Sequence, residues 1–130
     1  MHSLYQVAAV LVHRVRGGDA SVLAELFQRR AAHWPHHMMH IEGGTIGLFN
    51  DFTHDLAPEV AFALIPTAAG VALAQPDAEL LECALSLLVD LAQASDTTEL
   101  PGGLDRLWVA LERHATGQTS RQDLRRWYRR

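Results

Sequence analysis

The sequence predicts an all-α fold: a single-domain bundle of six or seven helices over residues 1–130, built from antiparallel hairpins. Three observations carry that expectation. Apolar residues recur at intervals of three and four in most segments. Glycine, proline and capping residues punctuate those segments at short intervals. No strand pattern has a second one with which to pair. Short links between consecutive helices allow a closed bundle or a HEAT-like array, and the lack of a fixed repeat length favours the bundle. A chain of 130 residues that is 48% hydrophobic has enough apolar material for a core without disulfides or metal.

The first helix is expected over Ser3–Arg16, with Ser3 and Gln6 as a capping box and Leu4, Val7, Ala8, Leu11 and Val15 as its buried stripe. Gly17-Gly18 ends it. Its arginines, Arg14 and Arg16, follow the apolar centre, the reverse of a signal peptide, so it reads as part of the folded domain. Asp19 then caps a second helix with Val22, Leu23, Leu26 and Phe27 facing inward. That helix is expected to break at Trp34-Pro35, leaving HHMMHIEGG as a loop. Residues 45–54 suit either a short helix or a strand, and helix is preferred because no partner strand is visible. Pro58 opens the next helix, carrying Val60, Ala61, Leu64, Ile65 and Ala68, with an interruption or kink expected at Pro66.

The most apolar helix runs from an Asp77 cap to about Ala94. Glu79, Glu82, Ser86, Asp90 and Gln93 form its one polar stripe and leucine and alanine fill the rest, so it should lie at the centre. Ser95-Asp96-Thr97-Thr98 stops it, and Pro101 reopens a helix with Leu104, Leu107, Trp108 and Leu111 on one side. Thr119 and Gln122 match a second capping box, which starts a terminal helix docking through Leu124, Trp127 and Tyr128. The lone Cys83 lies among leucines, where a buried inert thiol is expected, and fits a reducing, cytoplasmic setting. No run is long and apolar enough to span a membrane.

Charge is segregated. All eleven basic residues are arginine, and none lies between Arg30 and Arg106, an interval holding eleven of the fifteen acids and a charge of −11. The two ends carry eleven arginines against four acids, +7 together. Such asymmetry either steers an oppositely charged partner or is neutralised by the ends folding back on the middle.

Three constellations bear on chemistry. His33, His36, His37 and His40 could offer metal ligands at a spacing of four if their segment were helical, which Pro35 opposes; the reading of the chain is that it holds no metal and no cofactor. Asp51, His54 and Asp55 could serve as an acid and base set, yet no oxyanion hole, nucleophile elbow or phosphate loop accompanies them, so no enzyme activity is expected. The tail RQDLRRWYRR mixes arginine with Trp127 and Tyr128, as single-strand nucleic-acid binders do, but the aromatics have the spacing of a buried face and the overall charge is −4, which argues against nucleic acid as the partner.

The turn Ser95-Asp96-Thr97-Thr98-Glu99-Leu100-Pro101, the following helix with Trp108, and Trp127-Tyr128-Arg129 near the terminus give residues 77–130 a general resemblance to small all-helical immunity proteins of interbacterial toxin systems, the polymorphic-toxin and type VI secretion kind, with a weaker echo in DLAPEVAFALIP. The resemblance implies a non-enzymatic cytoplasmic protein that binds a cognate toxin and occludes its active site. The acidic middle suits a toxin with a basic active-site face. On that reading Asp51, Asp55, Glu59, Asp96 and Glu99 form the contact surface at helix ends, and Trp34 and Phe49 are its anchors.

Overall fold

The computed structural model describes residues 9–37, 53–75, 78–102, 104–111 and 118–129. Among them the chain is all-α, with six helices and no strand: α1 (Ala9–Arg16), α2 (Leu23–His37), α3 (Pro58–Leu73), α4 (Ala78–Ser95), α5 (Leu104–Leu111) and α6 (Gln118–Tyr128). A short 3-10 turn, Ala20–Val22, leads into α2. The Ser3/Gln6 and Asp77 caps and residues 45–52 lie outside the described residues.

Helix α4 is the axis of the molecule, as its composition requires. Cys83, Ala84, Leu85, Ser86, Leu87 and Leu88 are consecutive and all buried, which at 100° per residue leaves no side of the helix open over that stretch. Its cover comes from α3, the most extensive neighbour, from α6 and from α2. On α3 the small side chains of Ala61, Ala68, Ala69 and Ala72 are buried and let the two backbones approach closely, while Leu64 and Ile65 fill the space between them. The contacts of α4 with α6 and of α3 with α5 skip a helix along the chain and close the bundle around one continuous core.

Several boundaries differ from expectation. Helix α2 does not break at Pro35 but continues to His37. A proline costs an interior helix one hydrogen bond and a clash with the preceding turn, and near a helix's final turn that cost falls on few residues. Helix α3 likewise runs unbroken through Pro66, which is exposed while the opposite face is packed on α4, so burial of that face outweighs the missing N–H. Helix α5 begins at Leu104, three residues beyond Pro101, which instead accepts the Leu104 N–H at 3.3 Å in a turn. Helix α6 begins at Gln118, so Thr119 lies inside it and is not its cap.

The polar stripe of α4 is also less open than its composition suggests: Ser86 is buried, and Glu82 and Asp90 are half-buried. On α2 the inward series Leu23, Leu26 and Phe27 continues to Arg30, whose side chain is wholly buried and engaged. A guanidinium removed from water is held only where hydrogen bonds or counter-charge replace its hydration.

Candidate functional site

Helices α3 and α4 are joined by residues 74–77 and pack along their length, so the start of α3 lies beside the end of α4. That antiparallel arrangement gathers residues far apart in sequence at one end of the bundle. Thr53, His54 and Asp55, just before α3, face Asp90, Gln93 and Ala94 on the last turns of α4 across a cleft of about 220 Å³. Thr53 is buried and Gln93 exposed. His54 Nε2 lies 3.3 Å from Asp55 Oδ2, both side chains open to water. Leu56 donates its N–H to the Thr53 carbonyl, closing a turn in which Asp55 takes φ +59°. From α1, Arg16 Nη1 donates to the His54 carbonyl at 3.0 Å and anchors this turn to the first hairpin.

Asp90 is the unusual member of the cleft. Burial alone raises its carboxyl from the ordinary 3.8 to about 6, and among the described residues it has neither a hydrogen-bond nor an ion-pair partner. The last turn of α4 carries no basic residue, although the free carbonyls of a helix C-terminus attract one.

The turn after α4 is built around Asp96, at φ +54°. Its N–H reaches the Gln93 carbonyl at 3.2 Å, and the Ala92 carbonyl accepts the Ser95 hydroxyl at 2.6 Å. Thr97 Oγ1 accepts the Glu99 N–H at 3.1 Å, and the Thr97 carbonyl accepts the Trp127 indole N–H at 2.9 Å, so α6 braces the turn from outside. Tyr128 on the same helix is buried edge-on against Trp108, ring centres 6.2 Å apart at 79°, and burial pushes its hydroxyl up to about 12. The aromatics of the arginine-rich tail therefore face the body, as their spacing predicts.

Of the seven residues expected at an interface, Asp55, Glu59, Asp96 and Glu99 are exposed and belong to the start of α3 or the turn after α4. Phe49 and Asp51 lie outside the described residues; Trp34 lies on the α2 backbone, and its side chain, like those of His33, His36 and His37, is outside the description, as is His40. Asp90, Gln93 and Thr53 were not anticipated as site residues. The hairpin itself was the signal that could have found them: with Pro58 opening one helix and Ser95 closing the next but antiparallel one, residues near 55 and near 92 have to be neighbours. Among the described residues no group of three His, Cys, Asp or Glu side chains is placed to hold a metal ion.

The architecture defines an all-α bundle with an acidic, open end. Comparison of the chain with protein-family models, curated proteins and solved structures finds no match. No helix among the described residues is long and apolar enough to cross a membrane.

Proposed function

We propose that this protein is an immunity protein, a non-enzymatic binder that neutralises a bacterial toxin by covering a basic active-site face with the acidic end of its bundle. The observation that supports this reading is the convergence of Asp55, Glu59, Asp90, Asp96 and Glu99 on the end shared by α3 and α4, in a segment without a single arginine or lysine. Carboxylates spread over such a surface speed encounter with a cationic partner and set its orientation, while affinity rests on a few buried anchors. The cytoplasm is the setting in which such a protein would meet an incoming toxin.

The test is co-purification with the product of the adjacent gene, followed by activity of that product with and without an equimolar amount of this protein. Reversing Asp55, Glu59, Asp96 and Glu99 to arginine in turn is expected to slow association at low salt, with little change at high salt where the Debye length shrinks to roughly 3 Å at 1 M. An unchanged association rate at low salt across the whole series would remove the electrostatic surface from the reading, and an uninhibited toxin would remove the reading itself.

A further inference from the structure

We infer that the cleft between the Thr53–Asp55 turn and the last turns of α4 is a subsite for one basic side chain of a protein partner, an arginine by preference, with Asp90 as its counter-charge. The inference rests on the proposed function for the existence of a protein partner, and on the geometry of the cleft for everything else. Four features of the cleft point the same way. Its half-buried carboxylate is desolvated and has no partner among the described residues, so a cation entering there replaces lost hydration and displaces no existing pair. It opens beside the C-terminal carbonyls of an eighteen-residue helix whose last turn has no basic residue, where the helix dipole favours positive charge.

The remaining walls supply acceptors. Asp55 adds a second carboxylate at the mouth, and the Gln93 carboxamide offers an oxygen. His54 also lines the cleft, and its backbone carbonyl accepts from Arg16 Nη1. The volume of about 220 Å³ is below the roughly 300 Å³ at which drug-sized ligand sites begin, and suits the end of one long side chain. A bare calcium or magnesium ion is the poorer occupant, since such ions take six or more oxygen ligands and, among the described residues, two carboxylates line this cleft. The planar, weakly hydrated guanidinium, whose five N–H donors fork onto carboxylate and carboxamide oxygens, matches these walls better than an ammonium does.

The experiment uses the full chain and two small probes, N-acetyl-arginine amide and the uncharged N-acetyl-norleucine amide, followed by the backbone amide signals of His54, Asp55 and Asp90 and the side-chain amide of Gln93 in nuclear magnetic resonance spectra. The arginine probe is expected to shift these signals saturably and the norleucine probe to leave them in place. Asp90→Asn, which keeps the shape and removes the charge, should weaken the arginine probe by about tenfold or more, the loss of one charge-assisted hydrogen bond. Gln93→Ala, at an exposed position, should weaken it by a smaller factor, and Asp123→Asn on α6 should leave it unchanged. Equal shifts from both probes, or equal binding by wild type and Asp90→Asn, would overturn the subsite. The two readings fail separately: a toxin inhibited equally by wild type and Asp90→Asn overturns the subsite alone, whereas saturable arginine binding in a protein that inhibits no neighbouring toxin overturns the immunity reading alone.

Discussion

Helices α1 and α4 both end in a left-handed residue, with opposite chemistry around it. At the end of α1, Gly18 takes φ +98°, its N–H reaches the Val15 carbonyl at 2.9 Å, and the Asp19 N–H reaches the Arg14 carbonyl at 3.0 Å, the paired hydrogen bonds of a Schellman stop. His13, Arg14 and Arg16 surround the carbonyl end, and Arg14 pairs with Asp19 at 2.6 Å. Asp19 in turn accepts the Ser21 N–H at 3.1 Å, and hydrogen bonds from Ser21 and Arg14 hold its carboxyl below the ordinary value. Every device there favours stability. At the end of α4 the left-handed position is filled by an aspartate, the Ser95 hydroxyl replaces a backbone donor, and the nearest charges on that helix and turn are Asp90, Asp96 and Glu99. A negative charge at a helix C-terminus and a non-glycine residue at positive φ are both unfavourable. The terminus of α1 is therefore optimised for folding, whereas that of α4 carries acids and no basic residue in its last turn, which is the physical basis for assigning the second to a partner.

Substitutions at both ends can break or sharpen this contrast. The largest effect is expected from the core that both ends share: Leu88→Ala should cost about 2–5 kcal/mol by denaturant unfolding, since the side chain is wholly buried and contacts on all sides are lost. Hydrogen exchange in that variant should quicken at both helix ends together; a change confined to α4 would mean that the two ends do not belong to one cooperative unit.

Asp90→Asn is the sharpest test of the α4 terminus, and it should stabilise. With the folded carboxyl at about 6 and the unfolded one near 3.8, the native state binds more protons between those values, so wild-type stability falls as pH rises through that window and stays low above it. The variant should be more stable at pH 7 by about 1–3 kcal/mol, and the gain should vanish below about pH 4. A pH-independent difference would show that burial of the charge is not its cause.

Smaller effects should separate the two stops. Gly18→Ala forces a Cβ into the left-handed region and should cost about 1–2 kcal/mol although nothing crowds the site. Trp127→Phe keeps the ring packing of α6 but removes the donor to the Thr97 carbonyl, and should cost about 1 kcal/mol. Asp96→Gly should go the other way, gaining about 0.5–1 kcal/mol by relieving both the backbone and the charge. If Asp96→Gly destabilises instead, the two stops are equally structural and the contrast is lost.

Much of the fold was legible because its causes are local. Gly17-Gly18, the Asp19 cap, Pro58 at a helix start and the leucines of α4 act within one turn or through the breadth of an apolar face, and each appears where its chemistry predicts. Pro35 misled because its cost falls on few residues near the final turn of α2, and Pro66 because its local cost is smaller than the packing on the far side of α3, which a single chain of residue types does not display. Within the site, Asp55, Glu59, Asp96 and Glu99 were legible as acids at helix ends. Asp90 was not, because on an amphipathic helix it reads as one of several solvated residues on a polar stripe.

By itself, then, the sequence determined an all-helical chain, its most buried helix, and the exclusion of arginine from an acidic middle, since composition and periodicity are properties of the chain alone. Tertiary structure decided what those acids became. Desolvation and proximity depend on neighbours from elsewhere in the chain: the antiparallel packing of α3 on α4 brings His54 and Asp55 opposite Asp90 and Gln93, and burial takes water from the Asp90 carboxylate while no described residue pairs with it.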